Sequence, residues 1–297
     1  MRDAGPGAID KETNQPFKGG EYVCAEEMLW CGKCKPCADG YPNHCERLDE
    51  LGFNVDGAFT RYIVVPSKVV WSLNPLKDKY SDEDVFRLGS MVEPTSVAYN
   101  AVIERGGGIR PGDNVVICGS GPIGIGAIAI LKRAGAANVI LSEPEPARAE
   151  LGTKMGADHI VNPLKEDFAE KVLDLTNGMG ASLFLEATGL PTQVYPGIEK
   201  VIWEGRTLNS TIVVVARADA KMPVTGEVLQ VRRAGMVGAQ GHSGHGTFPR
   251  VIEAMATGMN MLPMMTKEIS LDEVPDNIIE LRTNRKETKI SCKNPGA

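Results

Sequence analysis

Four of the seven cysteines lie within fifteen residues, at Cys31, Cys34, Cys37 and Cys45. Four thiolates on so short a segment suit a tetrahedral zinc ion whose ligand positions are all filled. Two lysines, Lys33 and Lys35, lie between these ligands in the sequence. They either offset the negative charge of a zinc–thiolate centre or are ordinary exposed residues. Because four protein ligands leave no open position for a substrate, the spacing predicts a structural zinc site.

An iron–sulfur cluster is the alternative for these cysteines. Bacterial ferredoxins share the first spacings, but their last gap is shorter and a proline follows the fourth cysteine. Here the last gap has seven residues, and Glu46 follows Cys45, so zinc is favoured. The total is odd and no secretory signal opens the chain, which favours metal binding over disulfides. We expect Cys24, Cys118 and Cys292, which lie in strand-like surroundings, to be core thiols.

A second chemical motif is the G-x-G-x-x-G loop at 119–124, whose residues are Gly119, Ser120, Gly121, Pro122, Ile123 and Gly124. Its glycines permit a tight turn, a close approach of the backbone to a pyrophosphate, and close helix–strand packing. The helix that follows directs unpaired N–H groups and its positive dipole end at the phosphates. A strand–turn–helix that binds no ligand is the alternative. The flanking strand and helix favour a dinucleotide-binding loop.

The residues after this loop bear on the choice of cofactor. Glu143 lies at the end of the second predicted strand, where a carboxylate accepts hydrogen bonds from ribose hydroxyls. Because a carboxylate repels a 2′-phosphate, Glu143 predicts NAD rather than NADP. Arg148 argues against this prediction, because an arginine can bind the 2′-phosphate of NADP, unless its side chain faces solvent. Thr188, after the fourth predicted strand, is expected across the binding crevice at the carboxyl ends of the strands.

The elements that would position this loop follow from about residue 97 onward. Continuous apolar runs alternate there with amphipathic helical stretches at 123–134, 147–155 and 168–175. Such alternation is typical of a parallel sheet covered by helices on both faces, and six strands are the size of one doubly wound nucleotide-binding domain. The predicted strands are 114–118, 138–141, 159–161, 182–185, 211–215 and 235–238.

The rest of the chain reads differently. Residues 1–96 are rich in Gly, Pro and Cys, with short β-type runs such as 62–65 and no long helical period. The tail has predicted helices at 248–256 and near 274–282 and a short final strand; it is too small to fold alone and is expected to pack on the N-terminal part. We predict a catalytic domain at 1–96 with a zinc lobe at 24–48, a cofactor domain at 97–241, and a return segment at 242–297.

Composition excludes several classes of protein. Of 297 residues, 42% are hydrophobic and 24% are charged, which fits a globular protein rather than a disordered or fibrous one. A net charge of −6 argues against nucleic-acid binding, including that of a zinc ribbon, because phosphate contacts need a basic surface. No apolar run approaches the roughly 18 residues of a membrane helix. Since no signal peptide is evident either, the cytoplasm is the expected location.

With the two motifs in this order, the chain resembles the zinc-containing medium-chain alcohol dehydrogenase family. The match also covers Glu93–Pro94 and runs over essentially the whole chain. Within the family it is similar to the sorbitol and threonine dehydrogenase side, and three stretches are similar to the scyllo-inosose dehydrogenase type. Those stretches are 24–31, 92–100 and 241–246, and the further matching positions are 19–23, 57–59 and Tyr62.

The resemblance implies a GroES-like catalytic domain split around a Rossmann domain. It further implies oxidation of a secondary alcohol on a polyol or cyclitol, with NAD as hydride acceptor and zinc as Lewis acid on the substrate oxygen. The family also forms dimers and tetramers through the edge of the Rossmann sheet, so a homo-oligomer is expected.

The catalytic zinc is where this sequence departs from the family. Members supply a cysteine near the chain start and a His-Glu pair, but here no histidine precedes a glutamate and no cysteine precedes Cys24. Of the family's catalytic zinc ligands, only Glu93 has a counterpart, and its alternative is an ionic core residue. We therefore expect either that Met1 is an internal start of a longer chain or that the site has been lost, and in both cases little activity without the missing segment.

Two functional hypotheses follow. The first is a polyol or cyclitol dehydrogenase in which Glu93 and His242 act in catalysis, with His242 and His245 near the nicotinamide or substrate. Both histidines follow the last predicted sheet strand in a glycine-rich loop, so an exposed position is the alternative for each. The second hypothesis is a catalytically incompetent, zinc-stabilised NAD-binding fragment or sensor.

Overall fold

The computed structural model describes residues 1–242 and 244–293. The chain divides into two compact units: one holds residues 1–97 together with 241–297, and the other holds residues 98–240. Among the described residues, no helix combines the length and apolar character needed to cross a bilayer.

The unit of residues 98–240 is built on a six-stranded sheet in which every neighbouring pair is parallel. The chain builds the sheet outward from its centre in both directions, which is the strand order of a doubly wound dinucleotide-binding fold. The predicted parallel sheet is confirmed. From one edge to the other the strands are Gly235–Gly238, Thr211–Val214, Leu183–Glu186, Asn114–Cys118, Asn138–Ser142 and His159–Val161.

These strands form where the sequence has short continuous apolar runs, because both faces of the sheet are covered. All four residues of Leu183–Glu186 are buried, as are the last four of Asn114–Cys118. The strand predicted at 182–185 lies one residue further along, and the one predicted at 211–215 ends at Val214. The helices of this unit are Asn100–Arg105, which is a π-helix, Pro122–Arg133, Pro146–Lys154, Phe168–Leu175, Pro191–Glu204 and Gly226–Val231.

The other unit contains small two-stranded sheets and short helices. Three sheets are antiparallel: Ile9–Asp10 with Gln15–Pro16, Val23–Ala25 with Val70–Ser72, and Met28–Leu29 with Asp49–Glu50. A fourth pairs Met265–Ser270 with Lys289–Lys293 in parallel, with one irregularity. The helical segments of this unit are Lys35–Ala38, Pro42–His44, Ser67–Val69, Asn74–Lys77, Asp82–Tyr99, Thr247–Ala256, Leu262–Met264, Leu271–Glu273 and Val274–Glu280.

The long helix Asp82–Tyr99 corrects the expectation that residues 1–96 contain no long helix. Gly89 and Pro94 lie inside it, and both residue types disfavour a helix interior, which hides the helical period. The fold overrides this preference, because Leu88 and Met91 are fully buried. The expected β-type run at 62–65 is also wrong: these residues are irregular, and Val64 is 97% exposed.

The C-terminal segment packs on the N-terminal one within the same unit. The Tyr80 hydroxyl donates a hydrogen bond to the Met255 carbonyl oxygen at 3.2 Å. Arg87 pairs with Glu268 at 3.3 Å, and Lys293 pairs with Glu83 at 3.0 Å. Two segments far apart in sequence are therefore joined by side-chain contacts along the start of the long helix.

Candidate functional site

The thiols of Cys31, Cys34, Cys37 and Cys45 converge on one point. The four sulfur atoms all lie within 4.8 Å of one another, and the Cys34 and Cys45 sulfurs are 3.8 Å apart. Zinc–sulfur bonds of about 2.3 Å in a tetrahedron place sulfur atoms about 3.8 Å apart. The spacing, and the all-thiolate donor set, fit a zinc ion without an open position.

Backbone N–H groups point at these sulfur atoms. The N–H groups of Cys31 and Arg47 donate to the Cys45 sulfur at 3.2 and 3.3 Å, and the Lys33 N–H donates to the Cys31 sulfur at 3.4 Å. The hydrogen bond from Lys33 is the main reason why the pKa of Cys31 is lowered to about 6. Burial instead raises the pKa of Cys37 to about 12. The lobe thus stabilises the thiolate of Cys31 by itself, whereas the thiolate of Cys37 needs a bound cation to stabilise it.

Short local elements hold the lobe in shape. Cys37 lies in the helix Lys35–Ala38, and Cys45 directly follows the 3-10 helix Pro42–His44. The antiparallel pair of Met28–Leu29 and Asp49–Glu50 closes the segment behind them. Of the two interleaved lysines, Lys33 is exposed and Lys35 is paired with Asp39 on the surface.

The other three cysteines have different surroundings. Cys118 lies in the central sheet strand and is 1% exposed, so it is a core thiol. Cys24 and Cys292 are not core thiols as expected, because they lie in strands of two-stranded sheets and are half-buried. Burial nevertheless raises the pKa of the Cys24 thiol to about 12.

The glycine loop joins the central strand to the helix Pro122–Arg133. Gly119 has a φ of +93°, which favours glycine. A Cβ at Gly124 would lie 1.9 Å from the Gly119 carbonyl oxygen, so only glycine allows this approach of helix and turn. A Cβ at Gly121 would meet no atom within 4 Å. The space above Gly121 fits the approach of a pyrophosphate, and Pro122 and Ile123 begin the helix whose N-terminus faces it.

Glu143 is tied to this loop. One of its carboxylate oxygens accepts hydrogen bonds from the Ser120 N–H at 3.0 Å and the Ser120 hydroxyl at 2.7 Å. The other accepts from the Glu145 N–H at 2.9 Å. The side chain is buried, so it braces the loop against the end of the second strand. Sequence reasoning did not predict this bracing role.

Thr188 and Arg148 lie in the same unit. The Thr188 N–H and hydroxyl both donate to one oxygen of Glu186, at 2.7 and 2.6 Å, which shapes the turn after its strand. The Thr188 methyl group lies close to Gly119, so this turn and the glycine loop adjoin at the carboxyl ends of the strands. Arg148 is half-buried in the helix Pro146–Lys154.

A second group of metal-ligating side chains lies in the other unit and consists of Glu27, Glu93 and His242. One donor atom from each lies within 4.8 Å of the others. The His242 Nε2 is 3.4 Å from a Glu27 oxygen and 3.6 Å from a Glu93 oxygen. Burial raises the pKa of Glu93, while the charges of His242 and Lys289 oppose that rise. Two carboxylates beside an imidazole are donors that zinc accepts.

His242 is 1% exposed, which corrects the alternative of an exposed loop position. Its ring packs against Phe248, with ring centroids 5.1 Å apart, and the Thr247 hydroxyl donates to its carbonyl oxygen. His245 is exposed, with its ring 5.9 Å from that of Tyr41, and lies outside the group.

Glu27 is the residue that sequence reasoning missed. It adjoins Glu26, whose carboxylate accepts hydrogen bonds from the indole N–H groups of Trp30 and Trp71 at 3.2 and 2.8 Å. Glu26 thus stabilises the fold by binding two indole groups, whereas Glu27 lies next to His242. Nothing in the local sequence distinguishes them, because the histidine comes from a distant segment.

Comparisons with known proteins agree with this arrangement. Residues 5–75 match the family model of the alcohol dehydrogenase GroES-like domain, and residues 122–257 match that of zinc-binding dehydrogenases. Scyllo-inosose 3-dehydrogenase from Thermotoga maritima is 61% identical over 98% of this chain and 74% of its own length. L-threonine 3-dehydrogenase from Pyrococcus abyssi is 36% identical over 69% of this chain, which spans about half (54%) of that relative.

A solved structure gives the same result. A Thermotoga maritima protein assigned as an alcohol dehydrogenase superimposes with a TM-score of 0.97 at 62% identity, over 98% of this chain and 74% of that one. The glycine loop, the thiol cluster and these matches agree over both units. The chain therefore belongs to the zinc-binding medium-chain alcohol dehydrogenase family.

Proposed function

We propose that this protein acts as an NAD-dependent dehydrogenase that oxidises a secondary alcohol of a polyol or cyclitol. The observation that carries the proposal is the 61% identity, over 98% of the chain, to a relative named scyllo-inosose 3-dehydrogenase. A six-membered ring bearing several hydroxyl groups is therefore the substrate class to test first.

The cofactor part of the proposal rests on the glycine loop. The open space at Gly121 admits a pyrophosphate, and the N–H groups at the start of Pro122–Arg133 face it. Glu143 has both carboxylate oxygens fixed by Ser120 and Glu145, and this rigid carboxylate is the proposed partner of the ribose. A carboxylate there would favour the free 2′-hydroxyl of NAD, and bound NAD would accept the hydride from the alcohol carbon. Arg148 and Thr188 are the further proposed contacts of the cofactor.

The metal part has two components. Cys31, Cys34, Cys37 and Cys45 would hold a structural zinc ion, since their sulfur spacing fills a tetrahedron. Glu93 is proposed as a ligand of the catalytic ion, which when bound would supply Lewis-acid chemistry that lowers the pKa of the substrate hydroxyl. His242, held against Phe248, is proposed to lie in the same catalytic region.

We further propose that the protein works in the cytoplasm as a homo-oligomer. The strand Gly235–Gly238 forms one edge of the six-stranded sheet, and its first and last residues are exposed. An edge of this kind offers unpaired backbone groups to a second copy.

The test is reduction of NAD in the presence of candidate alcohols. Zinc-loaded protein is incubated with NAD and one candidate alcohol at a time, while the absorbance of reduced cofactor is followed. The candidates are scyllo-inosose, inositols, sorbitol and threonine. Among these alcohols we expect the cyclic polyols to give the highest rates, and supplying the family's N-terminal segment ahead of Met1 should raise them. A surface variant such as Glu12→Gln should retain these rates, whereas Glu93→Ala should lose them. Tight binding of NAD without reduction by any alcohol would favour an NAD-binding module instead.

A further inference from the structure

The group of Glu27, Glu93 and His242 joins three separate parts of one unit. Glu27 lies between the strands Val23–Ala25 and Met28–Leu29, and Glu93 lies in the long helix Asp82–Tyr99. We propose that these three side chains together bind one divalent cation, with zinc as the preferred ion. The inference deepens the proposed function, on which it rests, because it names the donor set beside Glu93.

The distances in the group match those between neighbouring ligands of one cation. Zinc bonds of about 2.0–2.2 Å to nitrogen and oxygen place tetrahedral donors about 3.3–3.6 Å apart. The His242 Nε2 lies 3.4 Å from the Glu27 oxygen and 3.6 Å from the Glu93 oxygen. Ordinary N–H···O bonds are shorter, at about 2.7–3.2 Å. The contact between His242 and Glu27 is therefore at the long limit of a hydrogen bond, while both spacings equal those of neighbouring zinc ligands.

An unsatisfied oxygen points to the same conclusion. The second carboxylate oxygen of Glu27 is buried and has no hydrogen-bond partner among the described residues. The neighbouring Glu26 carboxylate, in contrast, has an indole N–H on each oxygen. A buried carboxylate oxygen left without a partner is costly unless a cation lies nearby.

The charge balance also fits. Two ionised carboxylates and a neutral imidazole carry a charge of −2, which one divalent ion neutralises. Lys289 is the other positive group whose field reaches Glu93, and it supplies only one charge.

The imidazole is held in place before any ion binds. His242 is 1% exposed, its ring packs on Phe248, and its carbonyl oxygen accepts a hydrogen bond from Thr247. The preceding Gly241 has a φ of +66°, and a Cβ there would lie 2.5 Å from the Met28 side chain. Since the ring is already ordered, ligation costs little further side-chain entropy.

The experiment measures cobalt and zinc binding to the whole chain. Metal-free protein is titrated with Co²⁺ and its spectrum recorded, and the zinc content of reloaded protein is measured by mass spectrometry. We expect two ions per chain, one with thiolate-to-cobalt charge transfer from the cysteine lobe and one without it. His242→Gln and Glu27→Gln should each remove the second ion, or weaken its binding by at least about 10-fold. His245→Gln is the matched control and should retain both.

The thiolate band also reports on folding, because the cysteine lobe lies in the same unit as the three residues. If one variant loses the thiolate band, that variant has not folded, and the metal content of the other variant is then used to test the inference. A single ion per chain in the unmodified protein, with only the thiolate spectrum, overturns the inference whatever the variants do. Retention of the second ion at full affinity in both variants overturns it as well. Titration with NAD is independent of this group, so failure of the proposed function is recognised separately.

Discussion

Adjacent glutamates in this chain have unlike tasks, and their partners explain why. Glu26 holds two indole rings, whereas Glu27 turns to His242. The same principle applies to Glu143, whose hydrogen bonds to Ser120 make it part of the glycine loop as well as the acid expected at the ribose. Each role depends on what the fold places opposite the carboxylate.

Replacing Glu143 tests both of its roles. In Glu143→Ala we expect weaker NAD binding, a smaller preference for NAD over NADP, and a loss of stability of about 1–3 kcal/mol, because the buried N–H of Ser120 loses its acceptor. Calorimetric titration with each cofactor and thermal unfolding measure these effects. The exposed Glu150→Ala serves as control. Equal affinity of the unmodified protein for both cofactors would contradict the assigned preference.

Cysteine reactivity gives a second prediction for single residues. In metal-free protein at pH 7 we expect Cys31 to be alkylated at least about 100-fold faster than Cys24. The pKa of Cys31 is lowered to about 6 by the Lys33 N–H, while burial raises that of Cys24 to about 12. A lowered pKa means that the thiolate is present above about pH 6 and is lost as the pH falls through that value, so the rate at Cys31 should fall there too.

Peptide mass spectrometry after brief alkylation identifies the modified sites. Zinc added beforehand should protect Cys31 and leave Cys24 unchanged. Equal labelling of the two cysteines in the metal-free protein would show that the lobe does not stabilise the Cys31 thiolate.

At the scale of elements, the sheet was predictable and the long helix was not. Strands such as Asn114–Cys118 carry continuous apolar residues that need two covered faces, and this signal is local. The helix Asp82–Tyr99 contains Gly89 and Pro94, and its stability comes from packing that no local pattern reveals. Likewise, the spacing of the cysteines predicted their convergence, but the meeting of Glu27 with His242 depends on the tertiary fold.

The glycine loop allows a prediction in which two similar changes have different results. Gly124→Ala should destabilise the cofactor unit by about 1–3 kcal/mol, since its Cβ would collide with the Gly119 carbonyl oxygen. Gly121→Ala should leave stability nearly unchanged, because its Cβ enters open space, yet it should weaken NAD binding. Thermal unfolding and NAD titration of both variants separate the effects. Equal loss of stability in the two would contradict the geometry.

At the scale of the whole molecule, the two units should respond differently to metal removal. Within residues 24–48, the buried apolar side chains are those of Met28, Cys34, Pro42 and Cys45, so ligation supplies much of the stability of this lobe. The sheet unit has its own apolar core, centred on residues such as Phe184 and Tyr195. Chelation, or Cys34→Ser, should therefore loosen 24–48 and leave 98–240 folded.

Limited proteolysis with peptide mapping checks this expectation. New cleavage sites should appear within 24–48 after chelation and disappear when zinc is restored. An unchanged cleavage pattern in the lobe would contradict stabilisation by a metal. Simultaneous cleavage throughout 98–240 would show that the two units unfold together.

The division of one unit between residues 1–97 and 241–297 has a consequence for synthesis on the ribosome. The sheet unit is inserted between these segments, so its entire sequence is translated before the second segment of the other unit begins. At about 5–20 residues per second this delay is roughly 7–30 s. During this delay Trp71 lacks Phe248, the residue on which it stacks in the folded protein with ring centroids 6.4 Å apart. The nascent N-terminal segment thus spends that time without the chain that completes its unit, while the sheet unit, which has its own apolar core, can already fold.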